Sequence, residues 1–303
     1  MIDRFDAPSI GFRWDTDREI EVTEIADESV LVTGGSGYIA GWIVARLLDC
    51  GALVRATLRD ASKADAIRAN IATVAKDTRR LEFVTADLLN DCGWDGAMRD
   101  ITSVMHVASP VMARKGIDTV AVAVEGTKRV LEAATSAGVG RVVLTSSTAA
   151  ARPFISSSTP IDEHTWTDLS LSNGEYARSK TLAEQAAWKF VGSRHHAPRL
   201  ATVLPGFVQG PLLGTSESAS LEVVRRMLRG QMPAVSRLGF TIVDVRDLAD
   251  LHIKALTSPQ GMGERWIGGS DFLWLSDIAA ILKDHFGQAA SKVSTRSMPN
   301  FLF

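Results

Sequence analysis

The residues best equipped for chemistry are Tyr176 and Lys180, in Glu175-Tyr176-Ala177-Arg178-Ser179-Lys180. A separation of four places both side chains on one face of a helix, one turn apart. A free tyrosine ionises near pH ~10 and exchanges protons poorly at neutral pH. A neighbouring ammonium favours the phenolate and is expected to lower that value toward the working range. A surface tyrosine beside a solvated lysine has the same spacing, so the pair needs company. The chain has only two tyrosines, Tyr38 and Tyr176; its other aromatic positions are Phe and Trp. Ser146 and Ser147 follow the β-branched run Arg141-Val142-Val143-Leu144-Thr145. A serine hydroxyl at such a strand end can hydrogen-bond a substrate carbonyl oxygen while a tyrosine protonates it, although strand-end serines also serve as plain turn residues.

The elements that must position these groups alternate in type. Val30-Leu31-Val32-Thr33 is an apolar strand that stops at Gly34-Gly35-Ser36-Gly37, and a helical pattern begins at once with Ile39, Ile43 and Leu47 on one face. Strand, tight turn and helix N-terminus together offer free N–H groups and a partial positive charge to a pyrophosphate. The spacing is Gly34, Gly37, Ala40 rather than G-x-G-x-x-G, and alone it is also compatible with a simple turn. Further strands are read at 53–59, 81–87, 104–108, 141–145 and 201–204, with a charged helix near 61–76, a long helix striped by Val120, Val124, Thr127, Leu131 and Ala134, and another over 177–191. This alternation predicts an α/β, doubly wound parallel sheet. After Pro205 the regularity fades into Gly, Pro and Ser around one helix near 217–229, then a strand at 240–245. The expected organisation is an N-terminal extension (1–28), a nucleotide-binding domain (29–205, with 240–258 returning to it) and a smaller C-terminal substrate lobe (206–239 and 259–303).

The totals narrow the function. At 303 residues the chain suits one large α/β domain with a lobe. Apolar and charged shares of 46% and 22% are those of an ordinary globular protein, and a net charge of −2 offers no basic excess for nucleic acid or a membrane surface. No apolar run reaches the ~18–20 residues of a membrane span. Cys50 and Cys92 lie too far apart for a CxxC pair. A cytoplasmic protein with free thiols and no metal site is the expectation.

Taken in order, Thr33-Gly34-Gly35-Ser36-Gly37-Tyr38-Ile39-Ala40, Ser147 and Tyr176-x-x-x-Lys180 resemble the extended short-chain dehydrogenase/reductases. The resemblance covers residues 29–285. It is strongest to the branch of dihydroflavonol reductases, cinnamoyl-CoA reductases and microbial aldehyde/ketone reductases, through Val54-Arg55-Ala56-Thr57-Leu58-Arg59-Asp60, His106-Val107-Ala108-Ser109-Pro110, Ala186-Ala187-Trp188-Lys189-Phe190 and Val243-Asp244-Val245-Arg246-Asp247. It implies a Rossmann-type fold. It also implies that Gly34, Gly37 and Ala40, with Tyr38 and Ile39, line the pyrophosphate turn, that Asp87 and Leu88 hold the adenine, and that Ala108 backs the nicotinamide ribose. By the same resemblance, Pro205-Gly206-Phe207-Val208 runs along the nicotinamide carboxamide, Tyr176 is the proton donor, Lys180 binds the ribose and tunes Tyr176, and Ser147 orients the carbonyl.

Arg59 bears on which dinucleotide binds. An acid at the end of the second strand grips a ribose 2′-hydroxyl, whereas an Arg accommodates a 2′-phosphate. Here that strand ends in Arg59, with Lys63 one turn on, which favours NADP(H) over NAD(H); a solvated Arg59–Asp60 edge is the plainer alternative. The chain departs from the family at Ala123, where many members carry an Asn used in proton relay, and in a short 110–120 loop and C-terminal tail. His106 is read as a packed structural residue, His195-His196 as a solvated helix end, and Arg225, Arg226 and Arg229 as a solvated helix face. Phe154, Trp166, Phe207 and Met227 line an apolar pocket or fill the lobe core. The expected function is NADPH-dependent reduction of a small, apolar or aromatic aldehyde or ketone, with a homodimer compatible with the family. A nucleotide-sugar epimerase or dehydratase with tightly held NAD, and a cofactor-sensing regulator without turnover, share the fold. Leu204-Pro205-Gly206-Phe207-Val208-Gln209-Gly210-Pro211 lacks the Asn of the epimerase pattern, and a regulator typically loses the Tyr or Lys.

Overall fold

The computed structural model describes residues 25–110, 118–152, 161–170, 174–215 and 218–297. Seven strands form one all-parallel sheet: β1 (Ser29–Val32), β2 (Leu53–Leu58), β3 (Leu81–Thr85), β4 (Ser103–His106), β5 (Arg141–Thr145), β6 (Arg199–Pro205) and β9 (Arg265–Gly268). Their order is β3-β2-β1-β4-β5-β6-β9, so the chain reverses direction across the sheet between β1 and β4. This is the doubly wound order, and its reversal point is where such sheets bind ligands.

Both faces of the sheet are covered, which is why its central strands are buried along most of their length rather than on alternate residues; all four residues of β4 are buried. Neighbouring strand residues still divide between the faces. Val30, Val32 and Val143 pack with Ile43 and Leu47 of α1 (Tyr38–Asp49) and with Leu248 and Ile253 of α7 (Val245–Thr257). Leu31, Val104, Val142 and Leu144 pack on the opposite side against α3 (Trp94–Met98), α4 (Thr119–Ser136) and α5 (Gly174–Gly192), through Met98, Leu131 and Phe190. Asp118 caps α4 by accepting from Val120 and Ala121 N–H.

A second core lies beyond the carboxyl ends of these strands. β7 (Phe207–Gln209), β8 (Gly239–Asp244) and β10 (Phe272–Trp274) form a three-stranded sheet in the order β10-β8-β7. α6 (Ala219–Leu228) and α8 (Leu275–Phe286) close it around Phe207, Met227, Leu275 and Ile278.

Three expectations are corrected. Segment 240–258 returns to the large sheet only through α7, because β8 pairs with β7 and β10 instead. Conversely β9, expected in the lobe, adds a seventh strand beside β6. The charged helix near 61–76 is also shorter than expected: Asp60 accepts from Ser62 N–H and winds Ala61–Lys63 into a 3-10 turn, and α2 spans only Ala64–Ile71.

Candidate active site

The glycine turn is stitched to both neighbouring strands. Gly34 N–H donates to Thr57 Oγ1 at 2.9 Å and Gly35 N–H to the Thr57 carbonyl at 2.9 Å. Thr33 Oγ1 accepts from Val107 and Ala108 N–H at 3.0 and 2.9 Å, fixing the end of β4 to the end of β1. Gly34 sits at φ +72°, where side chains are strained, and a Cβ on Gly35 would lie 2.8 Å from that of Ala56. α1 then begins with no side-chain cap and no acid in its first turn. Its free N–H groups and positive end are therefore uncompensated, as the cradle of a dinucleotide pyrophosphate requires. The residues present fit that group.

Arg59 is exposed and makes no hydrogen bond or ion pair among the described residues; Asp60 is engaged by Ser62 N–H at 3.0 Å and Oγ at 2.6 Å. Arg59 and Asp60 are both solvated without pairing with each other, and Arg59 and the exposed Lys63 are two cations beside the turn. Asp87 accepts from Leu89 N–H, and Leu88 packs over Gly126 of α4. Tyr38 contributes its backbone to the turn. Its side chain is 5% exposed in the α1–α7 core, and desolvation together with Asp244 raises its pKa. Ile39 is half-buried against the same core. At the carboxyl end of β6, the Pro205 carbonyl accepts from Thr148 Oγ1 and the Val208 carbonyl from Ser220 Oγ.

Ser147 ends β5 and caps a 3-10 turn through Ala149 N–H. The Ser147 hydroxyl favours the ionised form of Tyr176, whose side chain keeps 42% exposure. Lys180, one turn further along α5, is 6% exposed and donates through Nζ to the Thr145 carbonyl at 3.1 Å. Burial pulls the Lys180 pKa down to about 8, against the favourable charge of Glu184. Tyr176 does not behave as its spacing suggested. Desolvation raises its pKa, the Ser147 hydroxyl only partly opposing, while Lys180 Nζ is held by the Thr145 carbonyl. The hydroxyl accordingly stays protonated at neutral pH.

His106 is the packed residue expected, 1% exposed. Thr33 Oγ1 already accepts two N–H groups, so its own O–H donates to His106 Nδ1 and the ring hydrogen sits on Nε2. His195 and His196 lie on an exposed turn after α5, and Arg225 pairs with Glu222 on the surface of α6. Among the proposed pocket residues, Met227 is corrected. At 1% exposed in the lobe core, it has no surface to offer a substrate. Phe207 stacks on Phe240 in the same core, with centroids 4.7 Å apart. Trp166 is half-buried under the Arg265 guanidinium. Phe154 and the loop 111–117 lie outside the described residues. Sequence reading passed over Glu184, although its i+4 spacing from Lys180 was visible; nothing marked Arg265 as its partner. No group of three metal-binding side chains occurs among the described residues, and no helix among them is long and apolar enough to cross a membrane.

The model of the NAD dependent epimerase/dehydratase family matches residues 30–267. The chain belongs to this family. Within it, curated relatives include tetraketide alpha-pyrone reductase 1 of Arabidopsis thaliana, 34% identical over 86% of this chain and 82% of that protein. Cinnamoyl-CoA reductase 1 of Petunia hybrida is 34% identical over 86% and 78%. Among solved structures, yeast methylglyoxal/isovaleraldehyde reductase Gre2, complexed with NADPH, superposes with a TM-score of 0.79 at 26% identity, covering 88% of this chain and 85% of that one. These relatives place the chain in the reductase branch of the extended short-chain family.

Proposed function

We propose that this protein is an NADPH-dependent carbonyl reductase acting on a small, apolar or aromatic aldehyde or ketone. The observation that supports the reading is a buried Lys180, held by the Thr145 carbonyl at 3.1 Å one turn from Tyr176 on α5, with Ser147 just past β5 at the ligand-binding end of the sheet. The reductases named above, one of them solved with NADPH, support it.

Gly34 and Gly37, with the backbone of Tyr38 and Ile39, would hold the pyrophosphate, Arg59 and Lys63 the 2′-phosphate, and Asp87 and Leu88 the adenine. Ala108, Pro205 and Val208 would flank the nicotinamide half. When bound, NADPH supplies the hydride for the carbonyl carbon. Ser147 Oγ, one lone pair held by Ala149 N–H, directs its O–H to the carbonyl oxygen. Tyr176 delivers the proton to that oxygen, and its raised pKa keeps the proton in place until negative charge develops there. Lys180 holds a positive charge behind the pair and favours the tyrosinate left by proton transfer. The three-stranded sheet with α6 and α8 is the lobe that covers the substrate. Two free thiols suit a cytoplasmic enzyme.

The test is loss of NADPH absorbance with a panel of aromatic and aliphatic aldehydes, ketones and keto esters. Tyr176→Phe is expected to lose at least ~10²-fold in kcat while still quenching its fluorescence on binding NADPH. Full turnover in that variant refutes the assignment.

A further inference from the structure

Ser147, Tyr176 and Lys180 stand on a second layer of side chains. Glu184, one turn beyond Lys180 on α5, has a fully buried side chain. Its Oε2 accepts from Ser146 Oγ at 2.6 Å and its Oε1 from Thr202 Oγ1 at 2.8 Å. Arg265 of β9 donates through Nε to Oε1 at 2.7 Å and through Nη2 to Oε2 at 3.3 Å. The rest of that guanidinium donates to the carbonyls of Glu163, Thr165 and Ala150, at 2.7, 2.6 and 3.3 Å, and stacks 3.8 Å from the centroid of Trp166. One buried ion pair therefore ties together the end of β5, α5, β6, β9 and the segment leading to Trp166. A buried pair is weak evidence for stability, since apolar side chains of similar volume commonly do as well. Its placement directly under the reacting groups is more informative.

We propose that Glu184 is a positioning residue for this site. Through Ser146 it fixes the strand end that presents Ser147, and through its charge it keeps Lys180 an ammonium ion in a buried setting. The part these groups play in turnover rests on the reductase reading; the geometry does not. The groups facing Lys180 come from four elements besides its own. They are the Thr145 carbonyl of β5, neutral His106 of β4, His252 of α7 through the Thr145 hydroxyl at 2.8 Å, and Arg265 of β9 on the far side of Glu184. Among the described residues around Lys180, the negative charge that raises its pKa is that of Glu184, on its own helix. Burial works against the ammonium and Glu184 works for it.

The experiment titrates Lys180 directly, by 13Cε-lysine NMR of the cofactor-free protein, with the resonance assigned by its loss in Lys180→Met. The variant is the double substitution Glu184→Gln with Arg265→Gln, which strands no buried charge, its fold checked by circular dichroism and Tm. Its Lys180 midpoint is expected to fall by about one pH unit or more, a tenfold change in the protonation equilibrium. With NADPH and an aldehyde, the alkaline limb of kcat moves by the same amount while KM for NADPH holds. Ser146→Ala keeps the charge, so it lowers kcat without moving the midpoint. An unmoved midpoint in the double variant overturns the proposal. A moved midpoint in a protein that reduces no carbonyl overturns only the reductase reading.

Discussion

Acidification removes stability from this fold through two histidines that are held neutral. His252 is 0% exposed; its Nδ1–H donates to the Leu248 carbonyl at 2.7 Å and its Nε2 accepts from Thr145 Oγ1 at 2.8 Å. Burial pulls its pKa to about 4. His106 is pulled to about 3 by burial and by the nearby Lys180 ammonium. Both folded-state values lie below the ~6.5 of an unfolded histidine. The unfolded chain therefore binds protons first. The stability is whole above pH ~6.5 and is lost as pH falls through the window toward the folded values. At about pH 5 each histidine costs about 2 kcal/mol, so the pair removes about 4 kcal/mol relative to about pH 8. Asp247 works the other way. Desolvation with Asp244 and Asp250 nearby raises its carboxyl to about 6, so protonating it in the folded state returns about 1 kcal/mol after discounting for its partial exposure. The expected net loss is about 3 kcal/mol, out of a typical total of ~5–15 kcal/mol. Urea unfolding followed by tryptophan fluorescence across this range measures it. His252→Gln, which replaces the titrating ring, flattens the dependence by about two thirds, leaving about 1 kcal/mol. A flat profile in the wild type, or an unchanged slope in that variant, refutes the reasoning.

Three substitutions test other parts of the site. Arg59→Ala removes an exposed cation with no partner among the described residues, so stability is unchanged while the kcat/KM preference for NADPH over NADH falls by about tenfold or more, roughly 1.4 kcal/mol; an unchanged preference counts against the 2′-phosphate contact. Gly34→Ala forces a side chain onto φ +72° with its Cβ 3.1 Å from that of Ala108, and should cost about 1–2 kcal/mol in unfolding free energy and weaken NADPH binding measured by titration calorimetry. Met227→Ala empties a fully buried site in the lobe core, for a loss of about 2–5 kcal/mol with KM for the carbonyl unchanged; a rise in KM without loss of Tm would return Met227 to the pocket.

The glycine turn and the Tyr176–Lys180 pair could be read in the sequence because each is local. A helix of known period and a strand-turn-helix junction fix which side chains share a face. The large sheet was readable for the same reason, since its buried strands are continuous apolar runs. The exchange of β8 and β9 between sheets was not. An isolated strand advertises that it pairs, not with which neighbour, and β7 and β10 are only three residues each. Met227 shows the same limit at the level of one side chain, because a helical stripe looks alike whether it faces a core or a pocket.

Tyr176 shows most clearly what spacing leaves out. The i+4 lysine is a favourable charge for a tyrosinate, and that much is written in the chain. Whether the charge prevails depends on how far each group is withdrawn from water, Lys180 at 6% exposure and Tyr176 at 42%, and on where the ammonium is held. Those are properties of the packed sheet: Lys180 turns to the Thr145 carbonyl, and Glu184 and Arg265, 81 positions apart, close the layer beneath it. The outcome is a tyrosine that keeps its proton and a lysine poised near neutrality, the reverse of the order expected from the pair alone. Under the proposed function, the proton would stay on Tyr176 until negative charge develops on the carbonyl oxygen, and the lysine charge would favour the tyrosinate left behind.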